Sequence, residues 1–176
     1  MIAEFIDKLT KDPSLEPKIS LLYAQMQEVR KRLLRIIEPI DDNMIDFSPN
    51  EKEFETIGTM LYHIAGVEWS WIFQDIDGEE LDEEKWKYAF PLRKEVNIPQ
   101  LKGQGKKFYL IELESVRKKV FERLKKFSDN DLEKLYGTET EKFSLEWVLF
   151  HLIEHETIHI GQIQILIRLF KDIHKI

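Results

Sequence analysis

Apolar positions along the chain recur at steps of three and four, the period of one face of an α-helix. Leu22, Met26, Val29, Leu33 and Ile36 form the first stripe. Pro17 suits the first turn and Pro39 stops the run, which predicts a helix over Pro17–Ile37. A polar linker from Asp41 to Glu55 follows, with Pro49 inside it. Ile57, Met60, Ile64, Val67 and Trp71 make a second stripe, in a helix over residues 54–73 that ends before Asp77-Gly78. Gly58 and Gly66 each cost that helix about 1 kcal/mol relative to alanine, so they point to close packing against a neighbour.

Residues 78–106 show no clear period and hold Gly78, Pro91, Pro99, Gly103 and Gly105. This connection exceeds an ordinary helix–helix loop, has room for a short helix near Asp82–Tyr88, and frees the third helix from running antiparallel to the second. Leu113, Val116, Val120 and Leu124 mark that third helix, over residues 107–127. A polar link, Ser128–Lys142, leads to Ser144, an N-cap for a fourth helix over residues 145–171. Its stripe reads Val148, Leu152, His155, His159, Gln162, Leu166 and Leu169. No hairpin signal, strand alternation or internal repeat stands out. The expectation is an all-α fold, a four-helix bundle in one domain spanning residues 1–176, with a long connection between helices two and three.

Composition narrows the chemistry. The chain has 176 residues and no cysteine, which excludes disulfides, cysteine nucleophiles and thiolate zinc sites. With 26 Lys+Arg against 33 Asp+Glu the net charge is -7, and no basic block exceeds three residues, so no nucleic-acid partner is expected. Glu4 and Asp7 interrupt any signal-peptide core, and the charge-free stretch Thr157–Ile167 is too short to span a membrane. A soluble, cytoplasmic protein with no membrane partner is expected.

The fourth stripe carries two histidines, His155 and His159, one turn apart on one face. Imidazoles turned into a bundle core are costly unless their nitrogens are satisfied, and a divalent metal does that at i, i+4 spacing. His63, beside Met60, Ile64 and Val67 on helix two, is the natural third ligand. Plain core histidines remain the alternative. His151, one turn before His155, suits cavity lining, a supporting hydrogen bond or the stripe's edge, and His174 falls in the tail. His155-Glu156-Thr157-Ile158-His159 also spells the zincin pattern, and His151-Leu152-Ile153-Glu154-His155 its inverse. The downstream ligands of a metalloprotease and a peptide-binding strand are missing, which argues against proteolysis.

Leu61-Tyr62-His63-Ile64-Ala65 on helix two and the run from His151 to Ile163 on helix four resemble the DinB/YfiT-like metalloenzyme family. Phe47-Ser48-Pro49 resembles that family's linker, while Ile160 departs from it where arginine is usual. The resemblance implies metal ligands His63, His155 and His159, and a divalent transition metal (zinc, nickel, iron or manganese) with an open coordination position. It implies a metal-dependent enzyme acting on a small molecule, as a thiol S-transferase using a low-molecular-weight thiol or as a hydrolase. Glu156 is the candidate base or supporting partner, with a solvated surface carboxylate as the plainer reading. Gln162 is placed to line the cavity or cap a ligand, and Tyr62, Trp69, Trp71 and Trp147 to wall a pocket or fill the core. A non-catalytic metal- or ligand-binding stress-response bundle is the competing reading. Related bundles also suggest a homodimer, with Trp86 and the 78–106 connection as its surface.

Overall fold

The computed structural model describes residues 8–51, 53–90 and 100–175. Glu4, Asp7, Pro91 and Pro99 lie outside them. Among the described residues six α-helices and a small hairpin follow one another: α1 (Pro17–Ile37), α2 (Asp42–Ile45), α3 (Ile57–Trp69), α4 (Glu83–Trp86), α5 (Gly105–Leu124), β1 (Leu135–Gly137), β2 (Lys142–Ser144) and α6 (Leu145–His174). A π-helical stretch, Ser70–Ile76, prolongs α3, and a 3-10 turn spans Asp129–Glu133. The long helices α1, α3, α5 and α6 form the expected four-helix bundle. α3 packs against both α5 and α6, and α1 packs chiefly on α6.

Caps set the helix starts. Ser144 Oγ accepts from the Trp147 N–H at 3.1 Å, and Thr56 Oγ1 from the Thr59 N–H at 3.0 Å. Each such cap contributes about 1 kcal/mol. α3 is the central helix and is buried on nearly every side. On α1 the buried seam is Ile19, Tyr23, Met26, Arg30, Leu33 and Ile37. On α6 it is Leu145, Leu149, Leu152, Glu156, His159, Ile163, Leu166 and Phe170. Both run in steps of four and three, rotated slightly from the stripes expected, because each includes a charged residue.

Those charges meet at the centre. Arg30 of α1, Glu68 of α3, Arg117 of α5 and Glu156 of α6 are all nearly inaccessible to solvent. Arg30 Nε donates to Glu156 Oε1 at 2.6 Å, and its Nη2 to Glu68 Oε2 at 2.9 Å. Arg117 Nε donates to Glu68 Oε1, and its Nη2 donates to Glu68 Oε2 and to Glu156 Oε2, both at 3.0 Å. Each of the four long helices thus supplies one charge to a neutral cluster. Burial alone would push the Glu68 carboxyl up, but the Arg117 and Arg30 guanidiniums outweigh it and hold it below the usual glutamate range. Burial likewise opposes the Arg117 charge, and Glu68 and Glu156 more than restore it.

Three features depart from the sequence expectation. A two-stranded antiparallel hairpin stands in the polar link, pairing Leu135 with Ser144 and Gly137 with Lys142. Gly137 at φ +100 starts its turn, closed by the Thr138 N–H on the Glu141 carbonyl. The second helix continues as a π-helix to Ile76 rather than ending at Phe73. Trp86 is no docking surface. It is 1% exposed and packs its ring on Tyr62 at 5.2 Å and on Trp69 at 6.0 Å.

Replacing Arg117 by methionine leaves two carboxylates facing one guanidinium, so we expect a loss of about 3–5 kcal/mol in urea unfolding. Arg32→Met, at an exposed pair with Glu28, should change stability by less than about 1 kcal/mol. A Cβ at Gly66 would meet the Ala89 Cβ at 2.5 Å and the Trp86 ring at 3.2 Å. Gly66→Val should therefore cost about 1–3 kcal/mol. Gly161 has open space around it, and Gly161→Ala should gain up to about 1 kcal/mol.

Candidate metal centre

His63 sits in the middle of α3, and His155 and His159 lie one turn apart on α6, facing it. The His155 Nε2 is 3.0 Å from the His63 Nε2 and 3.1 Å from the His159 Nε2. All three ligating atoms lie within 4.8 Å of one another, forming a three-histidine cluster able to coordinate a metal ion. Two nitrogens held at 2.0–2.1 Å from one ion stand about 2.9–3.4 Å apart for bond angles between octahedral and tetrahedral, so the spacing fits.

The tautomer of His63 is set from behind. Its Nδ1–H donates to the Ala89 carbonyl at 2.5 Å, which leaves the Nε2 lone pair turned toward the other two rings. Ala89 reaches that position because it presses on Gly66, one turn after His63, while the Tyr62 hydroxyl donates to the Lys85 carbonyl at 2.6 Å. The long connection therefore orients a candidate ligand. His159 Nδ1 is buried and has no hydrogen-bond partner among the described residues, though the Gln162 side chain approaches the ring.

Burial keeps the cluster neutral. It lowers His63 despite the Ala89 carbonyl, and lowers His155 to about 3 with help from the neighbouring imidazoles. His159 is lowered to about 4, again by burial first and His63 second. Near neutral pH all three rings thus offer lone pairs, the state a metal requires.

A cavity of about 580 Å³ opens onto His63 and His155. The π-helical stretch supplies Ser70, Trp71, Gln74 and Asp75 to its wall, and the hairpin supplies Gly137, Thr138, Glu141 and Phe143. Trp71 and Gln74, three residues apart, face the cavity on the same side of the helix as His63 and Val67. His151 also lines it, stacked on Trp147 with ring centroids 4.9 Å apart. It stands outside the three-histidine cluster.

The remaining candidates fall elsewhere. Glu156 is neither a solvated surface carboxylate nor part of the cavity lining. Both its oxygens accept from the buried guanidiniums. Tyr62 and Trp69 are packed around Trp86, and His174 stacks on Phe170 with ring centroids 4.0 Å apart. Glu68, Arg30 and Arg117 were not singled out from the sequence. Their signal is the seam itself, a charged residue at a position where the four-three rhythm demands an apolar one.

The chain belongs to the DinB superfamily, whose profile it matches over residues 25–163. It is 22% identical over 162 residues to the uncharacterized protein YkkA of Bacillus subtilis (strain 168), covering 90% of this chain and 91% of YkkA. A conserved protein from Enterococcus faecalis shares the fold with a TM-score of 0.66 at 13% identity, over 88% of this chain and 97% of that one. YfiT from Bacillus subtilis, a probable metal-dependent hydrolase with an unusual four-helix bundle topology, matches with a TM-score of 0.62 at 17% identity, over 96% and 95% of the two chains.

The three lowered histidines give the metal-free protein an acid sensitivity. Groups depressed on folding favour the folded state above their unfolded value near 6.5, and that contribution is lost as pH falls toward 4 and 3. The melting temperature of metal-free protein should fall progressively below about pH 6.5. The fall between pH 6.5 and 5, followed by circular dichroism, should be shallower in His155→Gln/His159→Gln.

Proposed function

We propose that His63, His155 and His159 hold one divalent transition metal and that the protein is a metal-dependent enzyme acting on a small molecule bound in the adjoining cavity. The carrying observation is the convergence of three Nε2 atoms, 3.0–3.1 Å apart between neighbours, beside a cavity lined by two of the rings, His63 and His155. Zinc, nickel, iron and manganese all suit three imidazoles, and three protein ligands leave a position open for water or substrate. When bound, such an ion acidifies a coordinated water or thiol and polarises an electrophile.

The chain's own residues divide the remaining work. The Ala89 carbonyl holds His63 in its ligating tautomer. Glu156, taken up by Arg30 and Arg117, fixes α6 in place rather than moving a proton. His151, half-buried at the cavity wall and braced by Trp147, is the residue placed to exchange a proton with a bound nucleophile. Trp71, Phe90 and Phe143 give the cavity an apolar side that excludes water around the reacting groups. This arrangement serves transfer of a low-molecular-weight thiol to an electrophile, and equally hydrolysis. The family resemblance favours the first, and the description of YfiT supports the second. A homodimer is compatible with either, as is a cytoplasmic location.

Protein purified without a nickel column should carry about one equivalent of transition metal by elemental analysis, lost in His155→Ala/His159→Ala. Absence of metal as purified and after reconstitution with each of the four ions would overturn the proposal. Because protons compete only weakly for these rings, zinc affinity should change by less than about tenfold between pH 7.5 and 5.5. Three ordinary histidines would lose roughly a thousandfold over that range. Loaded protein should then turn over either thiol–electrophile pairs or activated esters and amides, and His151→Ala should lower kcat at least about tenfold with metal content unchanged.

A further inference from the structure

A second large cavity lies away from the histidines. α1 leans on α6 and α5 on α3, so a groove of about 610 Å³ is left between α1 and α5. It runs from the Tyr23–Phe121 ring contact, centroids 5.0 Å apart, toward Leu34 and Leu110. Its walls are mainly apolar.

Its polar character comes from the two buried arginines, each 6% exposed and each lining the groove. Their Nε and Nη2 edges face Glu68 and Glu156, which do not line it. Their Nη1 edges face the other way. Arg30 Nη1 donates to the Leu113 carbonyl at 3.0 Å and Arg117 Nη1 to Gln27 Oε1 at 3.1 Å, and both acceptors belong to groove residues. A guanidinium carries five N–H groups, and on each of these four are committed. One Nη1 N–H per arginine is left without an acceptor among the described residues.

The groove lining presents Arg30, Arg117 and Lys118 against Glu114 alone. Lys118 is exposed at the mouth. The metal-side cavity has the opposite character, with Asp75 and Glu141 and no lysine or arginine among the described lining residues. A ligand for the groove therefore needs an extended apolar body and one anionic group with two acceptor oxygens. A single charge is the limit, because the cluster behind is already neutral and Lys118 is offset by Glu114, so the unsatisfied N–H donors rather than surplus positive charge must hold it.

We propose that this groove is a second ligand site, for an amphipathic monocarboxylate. The carboxylate sits on the two free Nη1 N–H groups, near Lys118, and the apolar chain lies along Leu34, Leu110 and Phe121. The assignment is independent of the metal centre.

The test uses the full-length protein and calorimetric titration with decanoate, beside decanol and decylamine of the same chain length. Decanoate should bind at one site, and the neutral and cationic analogues should bind about ten- to a hundredfold more weakly. Leu34→Glu and Lys118→Glu alter exposed positions and should each weaken decanoate about tenfold or more while leaving urea unfolding in place. His155→Ala/His159→Ala, which removes two metal ligands, should bind decanoate as before. Equal binding of decanol, no binding of decanoate, indifference to both groove variants, or loss in the histidine variant would each overturn the proposal.

Discussion

Four buried charges hold the bundle's geometry. Arg30, Glu68, Arg117 and Glu156 come one from each long helix, and none can move without stranding a partner in a medium of low dielectric. As a source of net stability such a cluster is poor, since desolvating four ions costs nearly what their attraction returns. As a constraint on register it is severe. A slip of any helix by one residue turns its charge into an apolar wall, at a cost of several kcal/mol. The cluster also joins the two helices that matter most, because Glu68 lies on the helix of His63 and Glu156 lies between His155 and His159. Imidazoles from separate helices reach 3.0 Å because the helices bearing them are locked together nearby.

The helices were legible because amphipathic periodicity survives small errors of phase. α1 was placed at its observed limits, and the others to within a few residues. The phase itself was less legible. Reading the fourth helix through Val148, Leu152, His155 and His159 captured the histidine pair, since residues four apart share a face whatever the rotation. It put Glu156 outside the core, because a lone glutamate has no reason to be buried until an arginine from elsewhere is brought to it. The same holds for Arg30 and Glu68. A buried charge is intelligible only as part of a set whose members are far apart in the chain, here up to 126 residues between Arg30 and Glu156.

The cavity wall was less legible still. Strands of three residues cannot establish an alternating pattern, and the hairpin persists because Phe143 packs its ring edge-on against Trp71 at 5.0 Å. The role of the long connection was also hidden. Its Trp86 read as a dimer surface, whereas Trp86 plugs the gap between Tyr62 and Trp69, and Ala89 contributes a backbone carbonyl that no side-chain pattern encodes. Gly66 was the one local sign, and close packing was the right reading of it.

The π-helical stretch separates two kinds of information along one helix. His63 is phased by ordinary α-helical turns from Thr56 onward, while Trp71, Gln74 and Asp75 are phased by the wider turn that follows. A π-turn holds one residue more than the α-turn it replaces. Insertion or deletion of a single residue in this stretch would therefore rotate the cavity wall by about 100° relative to the histidines. Chain length within Ser70–Ile76 thus acts as a dial on the shape of the chamber, set independently of the groups that would hold the ion, and a lineage could reshape what the chamber admits by gaining or losing one codon there.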